Sequence, residues 1–375
     1  MRKSLLFVLL VATILRATAE NPFTTKTLSL SELEQFLAAN RGMKDRELAQ
    51  HLYDLKLKER IGDTDRSRLE KGLPGQESRQ GLLVLADESA FLDLPAAEIP
   101  SLPAPDHGDE VEMLKKAAEY VKSVVLLAPN LSATQTTLKY LGTSEIVPSD
   151  LLRVPSVYGT PPHVSSDTFS ILFPDVRGVS HRLNLVDEDV IPVSYRAGIE
   201  TSKRRGGFPC FTTWSIPGPP PGDLGPVLAS LPEILADGRV TWDRWERGPG
   251  GLEAVFHFEL PLTSSALNPQ FCSIEKLIPS TVFDAHGEFA IDPQDGSVLQ
   301  LSVVLQSKAQ GGEWGPVELE ARTEFSPVAV SGSNYLCPVR RVAIFLGPMA
   351  AHAPPDFPLI EYVNDITLSQ YHVTK

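Results

Sequence analysis

Between Val317 and Phe325 the chain alternates: Val317, Leu319, Ala321, Thr323 and Phe325 are interleaved with Glu318, Glu320, Arg322 and Glu324. Successive side chains of a β-strand point to opposite faces, so this repeat of two predicts a strand with one face buried and the other in water. Leu299, Leu301, Val303 and Leu305 repeat the pattern, and Asp292-Pro293-Gln294-Asp295-Gly296 separates that run from Phe289-Ala290-Ile291 with a turn suited to a hairpin. Further strands are expected at 136–140, 181–187, 190–195, 240–246, 253–260, 340–345 and 360–372. Short connections between so many one-sided strands predict an antiparallel sheet rather than a parallel one.

Ahead of this region the period is helical. Ser31 is a candidate N-cap with Glu34 three residues on, followed by an apolar stripe of Leu33, Phe36 and Leu37. Residues 44–58 place Leu48, Leu52 and Leu55 on one face. A short helix is expected from Asp65 or Ser67 to Leu69, and a more apolar one over 80–92 after the break at Leu73-Pro74-Gly75. Pro95, Pro100, Pro103 and Pro105 then mark an extended linker. Val111, Leu114, Ala118, Val121 and Val125 form the stripe of a long helix over 109–127. The expected class is therefore α+β, a small helical unit followed by a curved antiparallel β-sheet domain. Its boundaries are 20–94 for the helical unit, 95–108 for the linker and 109–375 for the helix plus sheet.

Residues 1–19 read as a signal peptide. Arg2 and Lys3 precede an apolar run from Leu5 to Leu15, and Ala17 and Ala19 supply the small residues a signal peptidase reads, which predicts a mature start at Glu20. The run is too short for a hydrocarbon core of about 30 Å, which takes about 20 helical residues, so no membrane span is expected in the mature chain. The expected location is secreted or periplasmic. The formal net charge of −13 becomes more negative once Arg2, Lys3 and Arg16 are removed, which disfavours nucleic acid as a partner. The basic cluster Lys203-Arg204-Arg205 reads as a charged loop, and 217–226 as a Pro/Gly-rich flap. The oxidising compartment permits a disulfide, and Cys272 and Cys337, each beside a strand, are the favoured pair with Cys210 left over; the alternative is three reduced, buried thiols.

No catalytic motif is present. The histidines lack metal-site spacing, and Asp284, His286 and Glu288 on one strand face read as a polar face, so neither a metal nor a cofactor is expected. Gly178-Val179-Ser180-His181 lacks the second glycine of a nucleophile elbow. Asp187, Glu188 and Asp189 read as solvated charge on a turn. Trp242 and Trp245 could stack a ligand, while core packing is the commoner use of such rings.

Leu73-Pro74-Gly75, residues 85–92 (Leu-Ala-Asp-Glu-Ser-Ala-Phe-Leu), residues 286–293 (His-Gly-Glu-Phe-Ala-Ile-Asp-Pro), Tyr335-Leu336-Cys337-Pro338-Val339 and Asn364-Asp365-Ile366-Thr367-Leu368 resemble an uncharacterised family of secreted acidobacterial proteins. That resemblance implies shared architecture and transfers no catalytic residue. The helix-then-strand segment 110–140 and the hairpin 287–305 more loosely resemble the lipoprotein-carrier and envelope-stress-sensor half-barrels, a likeness of fold alone. It implies a concave β face for a hydrophobic or lipid-like ligand; the tryptophan pair and the one-sided strand supply the candidate contacts Trp242, Trp245, Leu319 and Phe325. The leading expectation is a non-enzymatic exported protein whose partner is lipid or another envelope protein. The alternatives are a secreted hydrolase with a site assembled from distant residues, and a structural or protein-binding module.

Overall fold

In the computed structural model, the residues described are 26–127, 129–143, 183–196, 199–202, 227–248, 250–260, 283–307, 318–348 and 359–374. The leader, Cys210, Cys272, Lys203-Arg204-Arg205, the 178–181 segment, the 217–226 stretch and Val317 lie outside them. The fold is α+β, with a helical unit and a mainly β domain.

In the helical unit, α1 (Leu30–Ala39), α2 (Asp45–Tyr53), α3 (Asp63–Glu70) and α4 (Gln76–Glu88) enclose a core of Leu33, Leu48, Leu52, Leu82 and Leu85. The cap of α1 is Ser29 rather than Ser31. Ser29 Oγ accepts from the Glu32 amide at 3.2 Å, and Glu32 Oε2 accepts from the Ser29 amide at 2.7 Å, a complete capping box. Leu55 does not continue α2: that helix stops at Tyr53, and β2 (Leu55–Leu57) pairs in parallel with β1 (Lys26–Leu28). Leu55 and Leu57 are buried with Lys56 between them, so three residues of period two ended a helix that period 3.6 would have extended.

The linker is no free spacer. Glu98 shares a hydrogen bond with Asp65 of the helical unit, and Trp245 Nε1 donates to Pro103 O at 2.8 Å, so 95–106 is a strap laid over the sheet edge.

Among the described residues, ten strands form one antiparallel sheet in the order β5-β4-β3-β12-β11-β10-β9-β8-β7-β6. They are β3 (Leu131–Thr143), β4 (Asn184–Arg196), β5 (Ile199–Ser202), β6 (Arg239–Gly248), β7 (Gly251–Leu260), β8 (Phe283–Ile291), β9 (Val298–Ser307), β10 (Glu318–Val330), β11 (Ser333–Pro348) and β12 (Leu359–Val373). The two strands expected at 181–187 and 190–195 are one, β4. Asp187, Glu188 and Asp189 are mid-strand rather than on a turn, and Asp187 pairs with Lys139 across the ladder at 2.5 Å.

One face of the sheet is apolar. Phe256, Phe258, Phe289, Leu301, Val303, Leu305, Leu319 and Ala321 are buried there beneath α5 (His107–Leu127) and α6 (Val227–Asp237). The stripe of α5 is turned from the expected one: Met113, Ala117 and Val121 are buried, while Val111 is 52 % exposed. The turn of the β8–β9 hairpin explains the rotation. Gly296 sits at φ +77°, and a Cβ there would lie 2.5 Å from the Lys116 carbonyl carbon, so the helix rests directly on the turn and needs the small Ala117 at the contact.

The other face was expected in water, and this is the main correction to the sequence reading. Glu320, Arg322 and Glu324 are half-buried, because the helical unit docks on that face. Val84 and Ala90 meet Tyr140, Val342, Ile344 and Val363 in a second apolar cluster, and Arg322 Nη1 donates to Ala90 O at 2.9 Å.

Candidate functional site

Where the helical unit meets the sheet, an apolar cluster at one end gives way to charge. Lys56 lies 3.1 Å from Glu88 and 3.4 Å from Glu361. Arg340, on β11, is clamped between Asp87 of α4 and Asp365 of β12, the latter at 3.3 Å, with side-chain exposures of 17 %, 0 % and 4 %. Burial and the mutual repulsion of the two acids push Asp87 well above the usual carboxylate range, against the pull of Arg340, and burial raises Asp365 as well. One guanidinium therefore holds two carboxyls that do not ionise freely together.

Toward the sheet edge the two layers part and leave a cavity of about 450 Å³. Its walls come from the start of α3, the strap at Leu94–Glu98, the β6–β7 hairpin and β10–β11. Arg60, Glu246, Glu253 and Arg322 furnish its charged floor, and Ile61, Leu94 and Phe325 furnish apolar surface. The strand geometry explains the convergence. Arg244 and Glu246 share the helical-unit face of β6, Glu253 is the direct cross-strand neighbour of Glu246, and Arg322 reaches the same face from β10. Arg60 donates to Glu246 Oε1 at 2.5 Å, and Arg244 Nη2 donates to Glu246 Oε2 at 3.0 Å and to Glu288 Oε2 at 2.9 Å. Burial opposes ionisation of Glu246, but Arg60 and Arg244 outweigh it and hold that carboxyl below its ordinary range.

Glu253 behaves in the opposite way. It is 5 % exposed, and burial reinforced by the charge of Glu246 pushes it up to about 7. Its carboxyl folds over Gly248, where a Cβ would fall 1.5 Å from Oε1, so no other residue fits that corner without moving it. Across the cavity Glu98 of the strap shares a hydrogen bond with Asp65. Burial and that bond push Glu98 up to about 8, while the same bond, against burial, lowers Asp65, which places the proton on Glu98.

Of the four candidate ligand contacts, Trp242, Trp245, Leu319 and Phe325, it is Phe325 that borders this cavity, where a register shift between Glu324 and Phe325 turns the strand. Leu319, 4 % exposed, is packed in the core under α5 and α6. Trp242 and Trp245 share the apolar face because a bulge inserts Asp243 between their pairing partners. Their rings meet edge-on at 4.8 Å, and Trp242 meets Phe256 at 5.5 Å, so the pair braces the sheet edge and the strap. Cys337 is a free thiol, 1 % exposed, on β11, with burial pushing it up to about 12; the expected bridge to Cys272 is not seen. Among the described residues no cluster of His, Cys, Asp and Glu is arranged to hold a metal. No described helix is long and apolar enough to cross a membrane.

The cavity residues escaped the sequence reading because they are scattered from Arg60 to Arg340. Their only local signal was the charged alternation of β10, which looks the same whether the charges face water or a second layer. No protein-family model, no curated protein and no solved structure matches this chain, so the functional argument rests on these residues themselves.

Proposed function

We propose that the protein is an exported, non-enzymatic binding protein whose ligand occupies the cavity between the helical unit and the sheet. The observation that carries this reading is the cavity itself: about 450 Å³, within the size range of small-molecule sites, with converging charged groups on one side and apolar surface on the other. The apolar sheet face is a weaker candidate for a lipid-like ligand, because Leu319 and its neighbours are already covered by α5 and α6. Export rests on the leader-like residues 1–19.

The test is native mass spectrometry of protein recovered from the exporting compartment, compared with Ala97→Trp. Ala97 is exposed at the cavity wall, so the indole blocks the opening without entering the core. A small bound mass in the wild type that is lost in Ala97→Trp, with unchanged thermal stability, supports the reading. Equal bound mass in both proteins, or none in either, refutes it.

A hydrolytic second reading has one observation in its favour. Glu253 and Glu246 are cross-strand neighbours whose environments push them apart, as an acid and a base require. Glu246, however, is held by two guanidinium groups, which suits a structural anion better than a nucleophile. Turnover of a glycoside or ester substrate that falls at least about 100-fold in Glu253→Gln would favour this reading.

A further inference from the structure

We infer that the cavity is a carboxylate site, in which the guanidinium of Arg322 grips the acid group of a small organic acid whose compact apolar body lies against Ile61, Leu94 and Phe325. This rests on the cavity being the ligand site and names what it takes. Arg322 is 13 % exposed at its side chain, and its Nη1 is used by the Ala90 carbonyl. Its Nε is buried with no hydrogen-bond acceptor, since the nearest carboxylate oxygen, Glu324 Oε1, is 3.9 Å away. The unpaired Nε–H lies on the edge of the guanidinium that Nε forms with Nη2, the edge away from the Ala90 carbonyl. That edge presents two parallel N–H groups, the arrangement that a planar carboxylate accepts from side-on.

The acids already in the wall do not fill this role. Glu246 is held by Arg60 and Arg244, Asp63 lies 3.2 Å from Arg66, Glu324 lies 3.7 Å from Arg340, and Asp65 is bonded to Arg68 and Glu98. Glu253 faces Glu246, Arg322, Asp63 and Arg60, and its carboxyl stays largely protonated below about pH 7. In that form it leaves the charge of Arg322 standing and offers an O–H donor. Burial and the charge of Arg60 press the guanidinium down to about 10 against the pull of Glu324, Glu246 and Asp63, so the surrounding carboxylates do not offset its burial. A single carboxylate supplies that partner, whereas the second charge of a phosphate would be set against Glu246.

The full-length exported protein is titrated calorimetrically with benzoate and hexanoate at constant ionic strength, with benzamide and inorganic phosphate as the uncharged and tetrahedral controls. The expected result is saturable binding of the two carboxylates and none of the controls. Arg322→Lys keeps the charge without the fork and is expected to weaken binding about 10-fold, and Arg322→Gln to abolish it. Glu253→Gln imitates the protonated acid; wild-type affinity is expected to fall between pH 6 and pH 8, and that of Glu253→Gln to stay level. Equal binding of benzamide and benzoate, binding of phosphate alone, or undiminished binding in both Arg322 variants overturns the carboxylate assignment while leaving a ligand cavity in place. Binding of no probe overturns the assignment too, and if the native protein also carries no bound mass, the cavity reading falls with it.

Discussion

Arg340→Met removes the guanidinium that bridges Asp87 and Asp365 while keeping much of the length and packing of the side chain. In the wild type those two carboxyls are 0 % and 4 % exposed at the side chain. Breaking one partner of a buried ion pair costs about 3–5 kcal/mol, because the remaining charge has neither water nor a counterion. Both acids are already raised above 3.8 in the folded protein, so the fold binds more protons than the unfolded chain, and stability falls as pH rises above that value. Removing Arg340 raises them further, so the penalty is expected to grow with pH by up to about 1.4 kcal/mol per unit for each proton retained. Urea denaturation followed by tryptophan fluorescence should give a loss of about 3–5 kcal/mol at pH 8 and clearly less at pH 5. Asp87→Asn and Asp365→Asn added to Arg340→Met should restore at least half of the loss. A loss below about 1 kcal/mol at pH 8, or a loss equal at both pH values, would show that the clamp does not hold the helical unit on the sheet.

Gly296→Ala should destabilise by about 2 kcal/mol or more, since it forces a left-handed φ on a residue with a Cβ and drives that Cβ into the backbone of α5; thermal melts check this. Leu319→Ala should cost about 2–5 kcal/mol whether or not lipid is added, as expected of packed core; rescue by lipid would restore the apolar sheet face as a ligand site. Glu320, pushed up to about 8 mainly by burial and then by Glu318, makes the fold bind a proton, so stability should fall as pH rises from about 4.5 toward 8; Glu320→Gln should flatten that slope. Cys337 should resist alkylation in the native state and react on unfolding, because burial removes both access and thiolate; rapid native labelling would contradict its placement.

The α+β class, the antiparallel β region and the identity of its apolar face were legible in the sequence, because period two and turn chemistry are local and each strand repeats them. Leu319, Ala321 and Phe325 are buried as their alternation requires, and the hairpin at 292–296 forms where its Pro and Gly stand. Local pattern failed wherever two elements had to share space. The stripe of α5 turned to meet Gly296, and Leu55 left a helix to become a strand beside β1. Trp242 and Trp245 came to one face through a bulge that no spacing rule shows. Above all, the charged face of β10 looked like a surface. Glu320, Arg322 and Glu324 are the same residues in water or beneath a second layer, and only the docking of the helical unit distinguishes the two. The cavity exists for the same reason, since Arg60, Glu246, Glu253 and Arg322 acquire their proximity, their burial and their displaced protons from a contact between parts of the chain that no local period records.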